Sequence, residues 1–290
     1  MAKLLGEPVA KKICFELLPR VALLAKCKTV PQLCIVRVGE RPDDIYYEKS
    51  AVKRCASVGV MTRKLTLPQE ITQRELLLEI DRLNEDASVH GVLLLRPLPK
   101  QLDEDEICER LCAEKDIDCI KKSSLAGVFC GDRSGFAPCT AQACLELLDF
   151  YNIETEGKNV AVVGRSLVIG KPVAMLLLSR NATVTVCHTR TKKLAEICGR
   201  SDIVVAAAGK AKMLGKDCFF EGQTVLDVGI NPDAGGSVCG DADCAAAVEF
   251  GADCTPVPGG IGAVTTAVLA QHVVRAAEMT TDERACAYDI

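Results

Sequence analysis

Asn159-Val-Ala-Val-Val-Gly164-Arg-Ser-Leu-Val-Ile-Gly170-Lys-Pro172 is the stretch on which the reading of this chain turns. Five residues of buried-strand composition run into a glycine, a short polar turn and a second glycine that opens a helical pattern. A strand that ends at the N-terminus of a helix presents free backbone N–H groups and the positive end of the helix dipole, a setting suited to a dinucleotide pyrophosphate. The spacing is not the usual G-x-G-x-x-G, because only Gly164 and Gly170 are present. Taken alone it fits a tight βα turn without a ligand equally well.

The next apolar run, Ala182-Thr-Val-Thr-Val-Cys187, ends in His188-Thr189-Arg190. An NAD-selective site usually places a carboxylate there to hold the ribose 2'-hydroxyl, and its absence leans toward NADP. Arg165, Thr189 and Arg190 would surround a 2'-phosphate with donors; three solvated polar residues at a strand end are the alternative. Downstream, Ala206-Ala-Ala-Gly209 and Asp227-Val-Gly229-Ile-Asn231 again put small residues at strand ends, where backbone approaches a flat ligand closely or simply turns.

Short β-branched runs alternate with longer helical patterns through the rest of the chain, which assigns it to the α/β class with parallel sheet. In the first half, strands are expected at Gln32–Val38, Met61–Leu67 and 89–95, with helices at 45–58 and 73–86. A new series follows at Asn159–Val163, Thr183–Cys187, 203–207 and 224–228, closing on an amphipathic helix at 264–279. The boundary between the halves is read within 140–157, where a helical pattern runs into a polar segment. At roughly 100–200 residues per domain, 290 residues suit two domains, and two domains invite a cleft.

The formal charge of -4, from 35 Lys+Arg against 39 Asp+Glu, supplies no broad basic surface for nucleic acid. The apolar runs 91–95 and 203–209 fall far short of the ~20 residues that span a bilayer. The opening MAKLLGEPVAKKICFELLPR mixes charges into a helical pattern and lacks a signal-peptide core, so a cytoplasmic location is expected. Most of the 17 cysteines sit inside apolar segments and read as buried thiols. Cys239, Cys244 and Cys254 are the nearest approach to a metal pattern, without a CxxC pair, and no metal is expected.

Several further segments carry a resemblance: Tyr47 within RPDDIYYEKSAVKRC, NEDASVHG at 84–91, Arg96-Pro-Leu-Pro99, Glu114-Lys-Asp-Ile-Asp118, Pro138-Cys-Thr140 and Thr255-Pro-Val-Pro-Gly-Gly-Ile-Gly262. With the 163–172 loop, they resemble the methylenetetrahydrofolate dehydrogenase/methenyltetrahydrofolate cyclohydrolase family, in that family's order and over nearly the whole chain. The resemblance implies a folate-binding catalytic α/β domain, 1–144, completed by the C-terminal helix 266–290. It also implies a Rossmann-type NADP-binding domain with parallel sheet, 145–265, a folate cleft between the two domains, and a homodimer. The implied reaction moves a hydride from the methylene carbon of 5,10-methylenetetrahydrofolate to NADP, in one-carbon metabolism. Bifunctional members then add water to the methenyl product, giving 10-formyltetrahydrofolate.

The residues so implied are Gly164, Arg165, Ser166, Gly170, Pro172, Thr189, Arg190, Gly209, Gly229 and Ile230 for the cofactor. Tyr47, Asp118, Pro258, Gly259, Gly260 and Gly262 are implied for the folate, with Tyr47 stacking on it and Asp118 receiving hydrogen bonds from its pterin ring. A helix-capping role is the other reading of Asp118. Both members of the family's proton-transfer pair are replaced. The lysine four positions after the tyrosine is Ala51 here (Ser50 if counted from Tyr46), and the glutamine before x-Pro-Leu-Pro is Leu95. Neither replacement can carry a proton, and general acid/base groups contribute ~10²- to 10⁴-fold in rate.

Lys49 and Arg96 are the candidates to stand in. At about 100° per residue Lys49 lies some 200° from Ala51 and shares a side with Tyr46, so it serves only if Tyr46 faces the folate. Lys53 points away by the same arithmetic. The Arg96 guanidinium stays protonated, which suits binding or a surface ion pair rather than a base. Cys119 stands where the family has glycine and Ala263 where it has proline. His90, His188 and His272 are read as structural. The expectation is thus an NADP-dependent dehydrogenase with weak or lost cyclohydrolase activity. A bifunctional enzyme and a non-catalytic folate or nucleotide binder are the alternatives; the motifs of shikimate-type dehydrogenases are not found.

Overall fold

The computed structural model describes residues 3–132, 134–233 and 237–281. They form two compact α/β units, one from 11–127, 134–139 and 266–281, the other from 3–10, 128–132 and 140–265.

The first series runs α1 (Gly6–Lys26), β1 (Gln32–Val38), α2 (Pro42–Ser57), β2 (Met61–Leu67), α3 (Gln73–Glu85), β3 (Gly91–Leu94), α4 (Glu104–Arg110) and α5 (Lys122–Cys130). Its sheet is parallel in the order β2-β1-β3. Leu33 to Val36 in the central strand are fully buried, the unbroken apolar run of a strand covered on both faces. Edge strand β2 is polar and alternately exposed. Over one face lie Leu76, Ile80 and Leu83 of α3 and Ile107 of α4. Thr72 and Glu75 close a reciprocal capping box at the start of α3.

The rotation of α2 is fixed by one buried carboxylate. Glu48, 5% exposed, receives Arg37 of β1 at 2.9 Å and Lys64 of β2 at 2.9 Å. Burial works against its charge, yet the hydrogen bonds from Lys64 and Arg37 outweigh it and hold the carboxyl below its usual range. With Glu48 turned to the strands, Ala51 and Cys55 follow on the buried stripe at helical spacing.

The second series continues with α6 (Cys139–Phe150), β4 (Asn159–Val163), α7 (Gly170–Leu178), β5 (Thr183–Cys187), α8 (Leu194–Cys198), β6 (Ile203–Ala206), β7 (Thr224–Asp227), β8 (Asn231–Pro232), β9 (Val238–Cys239), α9 (Cys244–Glu249), β10 (Asp253–Cys254) and α10 (Ile261–Thr280). Five strands lie parallel in the order β10-β7-β6-β4-β5, and β8 and β9 form a small antiparallel hairpin. The order changes direction between β4 and β6, and in open parallel sheets ligands bind beyond the strand ends at such a point. Gly164 follows β4 with φ +139°, and a Cβ there would stand 2.0 Å from the Ala207 carbonyl oxygen at the end of β6. A Cβ on Gly170 would stand 2.3 Å from the Gly164 oxygen. The two glycines of the opening stretch are therefore demanded by backbone packed on backbone.

Most expected elements stand where the sequence places them. Strand β3 is shorter than 89–95, although His90 and Leu95 continue its pairing through Gln32 and Val36. The opening residues differ from the expected 1–144 grouping. Residues 3–10 belong with the second unit, where Leu4 N–H donates to Cys254 O at 3.0 Å and Gly6 N–H to Gly259 O at 2.8 Å. Backbone pairing of this kind leaves no trace in side-chain periodicity. Helix α10 reaches Thr280, and residues 282–290 of the expected 266–290 helix lie outside the described residues. Among the described residues no helix is long and apolar enough to cross a membrane.

Replacing Gly164 by Ala should cost ~2–4 kcal/mol of stability in urea unfolding, because backbone must move. Gly209→Ala, with positive φ but open space around the new Cβ, should cost ~1–2 kcal/mol.

Candidate functional site

The first unit gathers Tyr47, Arg96, Asp118 and Cys139. Asp118 follows Asp116 in a tight turn, and the two carboxylates divide their work. Asp116, 1% exposed, accepts the N–H groups of Ile120 and Lys121 at 2.8 and 3.0 Å and the Ser124 hydroxyl at 2.6 Å, so it is the acid that ties down the segment leading into α5. Asp118 is left to accept the Cys139 backbone N–H at 3.0 Å. Burial raises its pKa; the Cys139 N–H and the positive Arg96 pull the other way without overcoming it. Burial, and after it the Asp118 carboxylate, also pushes the Tyr47 phenol well above its usual range, so the hydroxyl keeps its proton.

Cys119 takes φ +56°, the left-handed conformation that the family's glycine would adopt, so the exchange leaves the turn its shape at the cost of strain. Ala51 is fully buried and Leu95 is 6% exposed, which sets apolar surface where the family pattern has a lysine and a glutamine. Arg96 pairs with Glu104 at 3.4 Å, whose other oxygen accepts the Leu98 N–H at 2.8 Å. Lys49 does not join the cluster. It is exposed, and Tyr46, the tyrosine on its side of α2, is 74% exposed.

In the second unit, Ser166 Oγ accepts the N–H groups of Ile169 and Gly170 at 3.1 and 3.4 Å, ordering the turn into α7. Pro172 occupies the first turn, where its missing N–H costs nothing. Arg165, Thr189 and Arg190 are exposed, with no carboxylate among 188–190 at the end of β5. The His188 imidazole accepts the Arg190 N–H at 3.1 Å and so shapes that loop.

The loops after β6 and β7 are built on two buried carboxylates that sequence reasoning did not single out. Asp241, fully buried, accepts the N–H groups of Ala208, Gly209 and Lys210 at 2.6–2.8 Å and the Asn231 side-chain amide at 2.8 Å. Asp227, 1% exposed, accepts Gly229, Asp241 and Ala242 N–H groups at 2.8–2.9 Å. A Cβ on Gly229 would strike the Asp241 carboxyl at 2.3 Å, so that glycine is required by a carboxylate. The isolated acids at the end of an apolar strand and in GDAD were the available signal, but spacing does not reveal burial.

Ile230 between them is 73% exposed. In the 255–262 segment, Pro258, Gly259 and Gly262 are exposed, Gly259 has φ +104°, and a Cβ on Gly260 would meet the Pro256 oxygen at 2.6 Å. No group of three or more His, Cys, Asp or Glu able to hold a metal occurs among the described residues.

Comparison with known proteins agrees with both halves of this geometry. Residues 4–118 match the tetrahydrofolate dehydrogenase/cyclohydrolase catalytic domain and residues 138–281 the NAD(P)-binding domain of the same family. The bifunctional protein FolD of Clostridioides difficile is 47% identical over 278 residues, covering 96% of this chain and 97% of the relative. The crystal structure of the bifunctional FolD enzyme of Campylobacter jejuni superposes with a TM-score of 0.94 at 37% identity, covering 96% of this chain and 99% of that one. That of Trypanosoma brucei FolD, complexed with NADP cofactor and inhibitor, gives 0.91 at 34% identity, covering 96% and 98%.

Burial raises the Asp227 pKa to about 6 against the pull of its three N–H donors. A carboxylate raised on folding stabilises most below its unfolded pKa of ~3.9, and that stability is lost as pH rises through the folded value. The stability of the native chain relative to Asp227→Asn should therefore fall by ~2–3 kcal/mol between pH 4 and pH 7, as read from urea midpoints.

Proposed function

The chain belongs to the tetrahydrofolate dehydrogenase/cyclohydrolase family, and we propose that it oxidises 5,10-methylenetetrahydrofolate to 5,10-methenyltetrahydrofolate with NADP, its cyclohydrolase step being weak or lost. The observation that carries this reading is an acceptor carboxylate at Asp118 together with buried Ala51 and Leu95, whose side chains hold no ionisable group. In this proposal the unit of 11–127, 134–139 and 266–281 is the folate-binding catalytic domain, and the unit of 3–10, 128–132 and 140–265 the NADP-binding domain.

Asp118 receives paired N–H donors of the pterin, and Tyr47 stacks on the folate ring. Pro258, Gly259, Gly260 and Gly262 offer backbone and little side-chain bulk to the ligands. On the nucleotide side, Gly164, Ser166, Gly170 and Pro172 expose the start of α7 to a pyrophosphate. Arg165, Thr189 and Arg190 meet a 2'-phosphate, a choice supported by the absence of the carboxylate that would favour a free 2'-hydroxyl. Gly209, Gly229 and Ile230 lie along the nicotinamide, on loops held by Asp241 and Asp227. The bound dinucleotide supplies the hydride acceptor; the chain supplies orientation, which is the main demand of a hydride transfer.

Addition of water to the methenyl carbon makes a different demand, for a group that takes a proton from the attacking water. Ala51 and Leu95 have none to offer. The Arg96 guanidinium is permanently protonated and engaged by Glu104, and Lys49 is exposed on the other side of α2. It therefore leaves the proposed catalytic set, and Arg96 acts there as a positive charge near Asp118. The curated relatives named as bifunctional support the second reading, in which hydrolysis persists. A homodimer is proposed as well, supported by edge strand β5, which pairs with β4 alone and leaves Thr183 and Thr185 exposed. A cytoplasmic location suits the many free thiols among the described residues.

The deciding assay follows reduced cofactor and methenyl product together, with NADP and with NAD. Methenyl product should accumulate in step with NADPH and outlast its uncatalysed hydrolysis, and its prompt disappearance would establish the bifunctional reading. Ala51→Lys combined with Leu95→Gln should raise the hydrolytic rate by ~10²-fold or more.

A further inference from the structure

The Asp118 carboxylate is held from behind by side chains that the proposed reaction does not use. His272, on α10 and 6% exposed, places Nδ1 2.8 Å from the carbonyl oxygen of Ile117, the residue just before Asp118. A carbonyl oxygen only accepts, so Nδ1 carries the proton. Cys139 completes the arrangement: its thiol donates to the same Ile117 oxygen at 3.4 Å and lies 3.6 Å from His272 Nδ1, while its backbone N–H donates to Asp118 Oδ1.

We propose that His272 is a positioning residue for folate binding, its Nδ1–H fixing the Ile117–Asp118 peptide plane and thereby the direction in which the Asp118 carboxylate points. The inference rests on the folate role assigned to Asp118 above. A peptide plane held at its carbonyl limits φ of the following residue, and φ directs that residue's Cβ. On its other side the turn is already immobilised, because Asp116 is tied to Ile120, Lys121 and Ser124. The Ile117 side chain, fully buried, packs against Gly91, where a Cβ would come within 2.9 Å. Rotation of the peptide plane is the freedom left, and the histidine removes it.

The same helix face also delivers the second support. The Phe136 ring packs on His272 with centroids 5.1 Å apart, and Arg275 lies 5.1 Å over Phe136 while donating to the Ser134 and Gly135 carbonyls at 3.1 Å. These contacts set the path of residues 134–139 and bring the Cys139 N–H to Asp118. Burial lowers the His272 pKa to about 4, so the ring stays neutral at the pH of any ordinary assay. The Pro138-Cys-Thr140 motif, singled out in the sequence without a role, thereby acquires one.

The test uses the full chain with His272→Leu, which keeps the volume and loses the donor, and His272→Asn, whose amide nitrogen sits where Nδ1 does, bonded to Cγ. His272→Leu should raise both the KM and the Kd for methylenetetrahydrofolate about tenfold, with kcat within about twofold and the KM for NADP unchanged. His272→Asn should recover at least half of that loss. Asp118→Ala is measured beside them. If it leaves the folate Kd unchanged, the folate role of Asp118 fails and takes this inference with it. If Asp118→Ala weakens folate while His272→Leu does not, or if Asn fails to rescue, or if kcat and both KM values move together, the positioning role alone is overturned. Should His272→Leu not fold, His272→Gln replaces it, carrying the same amide one methylene too far; equal folate affinity for Asn and Gln would refute the role.

Discussion

A parallel strand ends with backbone N–H groups that its neighbours no longer reach, and in this protein buried carboxylates receive them. Asp241 takes three consecutive N–H groups after β6, Asp227 takes three more after β7 and in the returning loop, and Asp116 takes two at the start of α5. Unpaired, such buried groups would each cost ~1–3 kcal/mol. The loops that surround the functional residues are consequently built around charge rather than around an apolar core. The glycines at 229 and 240 are small because Asp241 and Asp227 stand against them.

Asp118 is the exception within this scheme, and its position is what makes it useful. The acid two residues earlier takes the N–H groups of Ile120 and Lys121, so the Asp118 carboxylate meets the Cys139 N–H and keeps acceptor capacity. The cost of holding it in a buried place is visible in its raised pKa, offset in part by Arg96. In the proposed function, that spare acceptor capacity serves the paired donors of a flat ring edge. The frame comes from the contacts of His272, the Cys139 thiol and Asp116 around it rather than from any flexible side chain.

The two family activities place different demands on a site, one for hydride transfer and one for proton transfer. A hydride moves between carbon atoms of two bound molecules, so a site that orients them needs no ionisable group at the reacting carbon. Water addition needs one. The cluster around Tyr47 is therefore compatible with dehydrogenation even though Ala51 and Leu95 present only hydrocarbon. The same packing leaves both flanking lysines of α2 exposed, since Glu48, clamped by Arg37 and Lys64, fixes which side of the helix turns inward.

Much of this was legible in the amino-acid order. The apolar runs of β1, β4 and β7 and the glycines at 164 and 170 identify parallel α/β units and a nucleotide loop, because strand burial and close backbone approach restrict which residues are tolerated. The Tyr47, Asp118 and 255–262 segments identify the family, and the departures at 51 and 95 are visible in the chain alone. Tertiary structure decided matters that depend on distant residues meeting. It chose Asp116 over Asp118 to hold the backbone ahead of α5, turned Lys49 to solvent, joined residues 3–10 to the second unit by backbone bonds, and brought His272 to a carbonyl 155 positions away. Periodicity records which face of an element is buried, whereas the identity of the group it is buried against is a property of the folded chain.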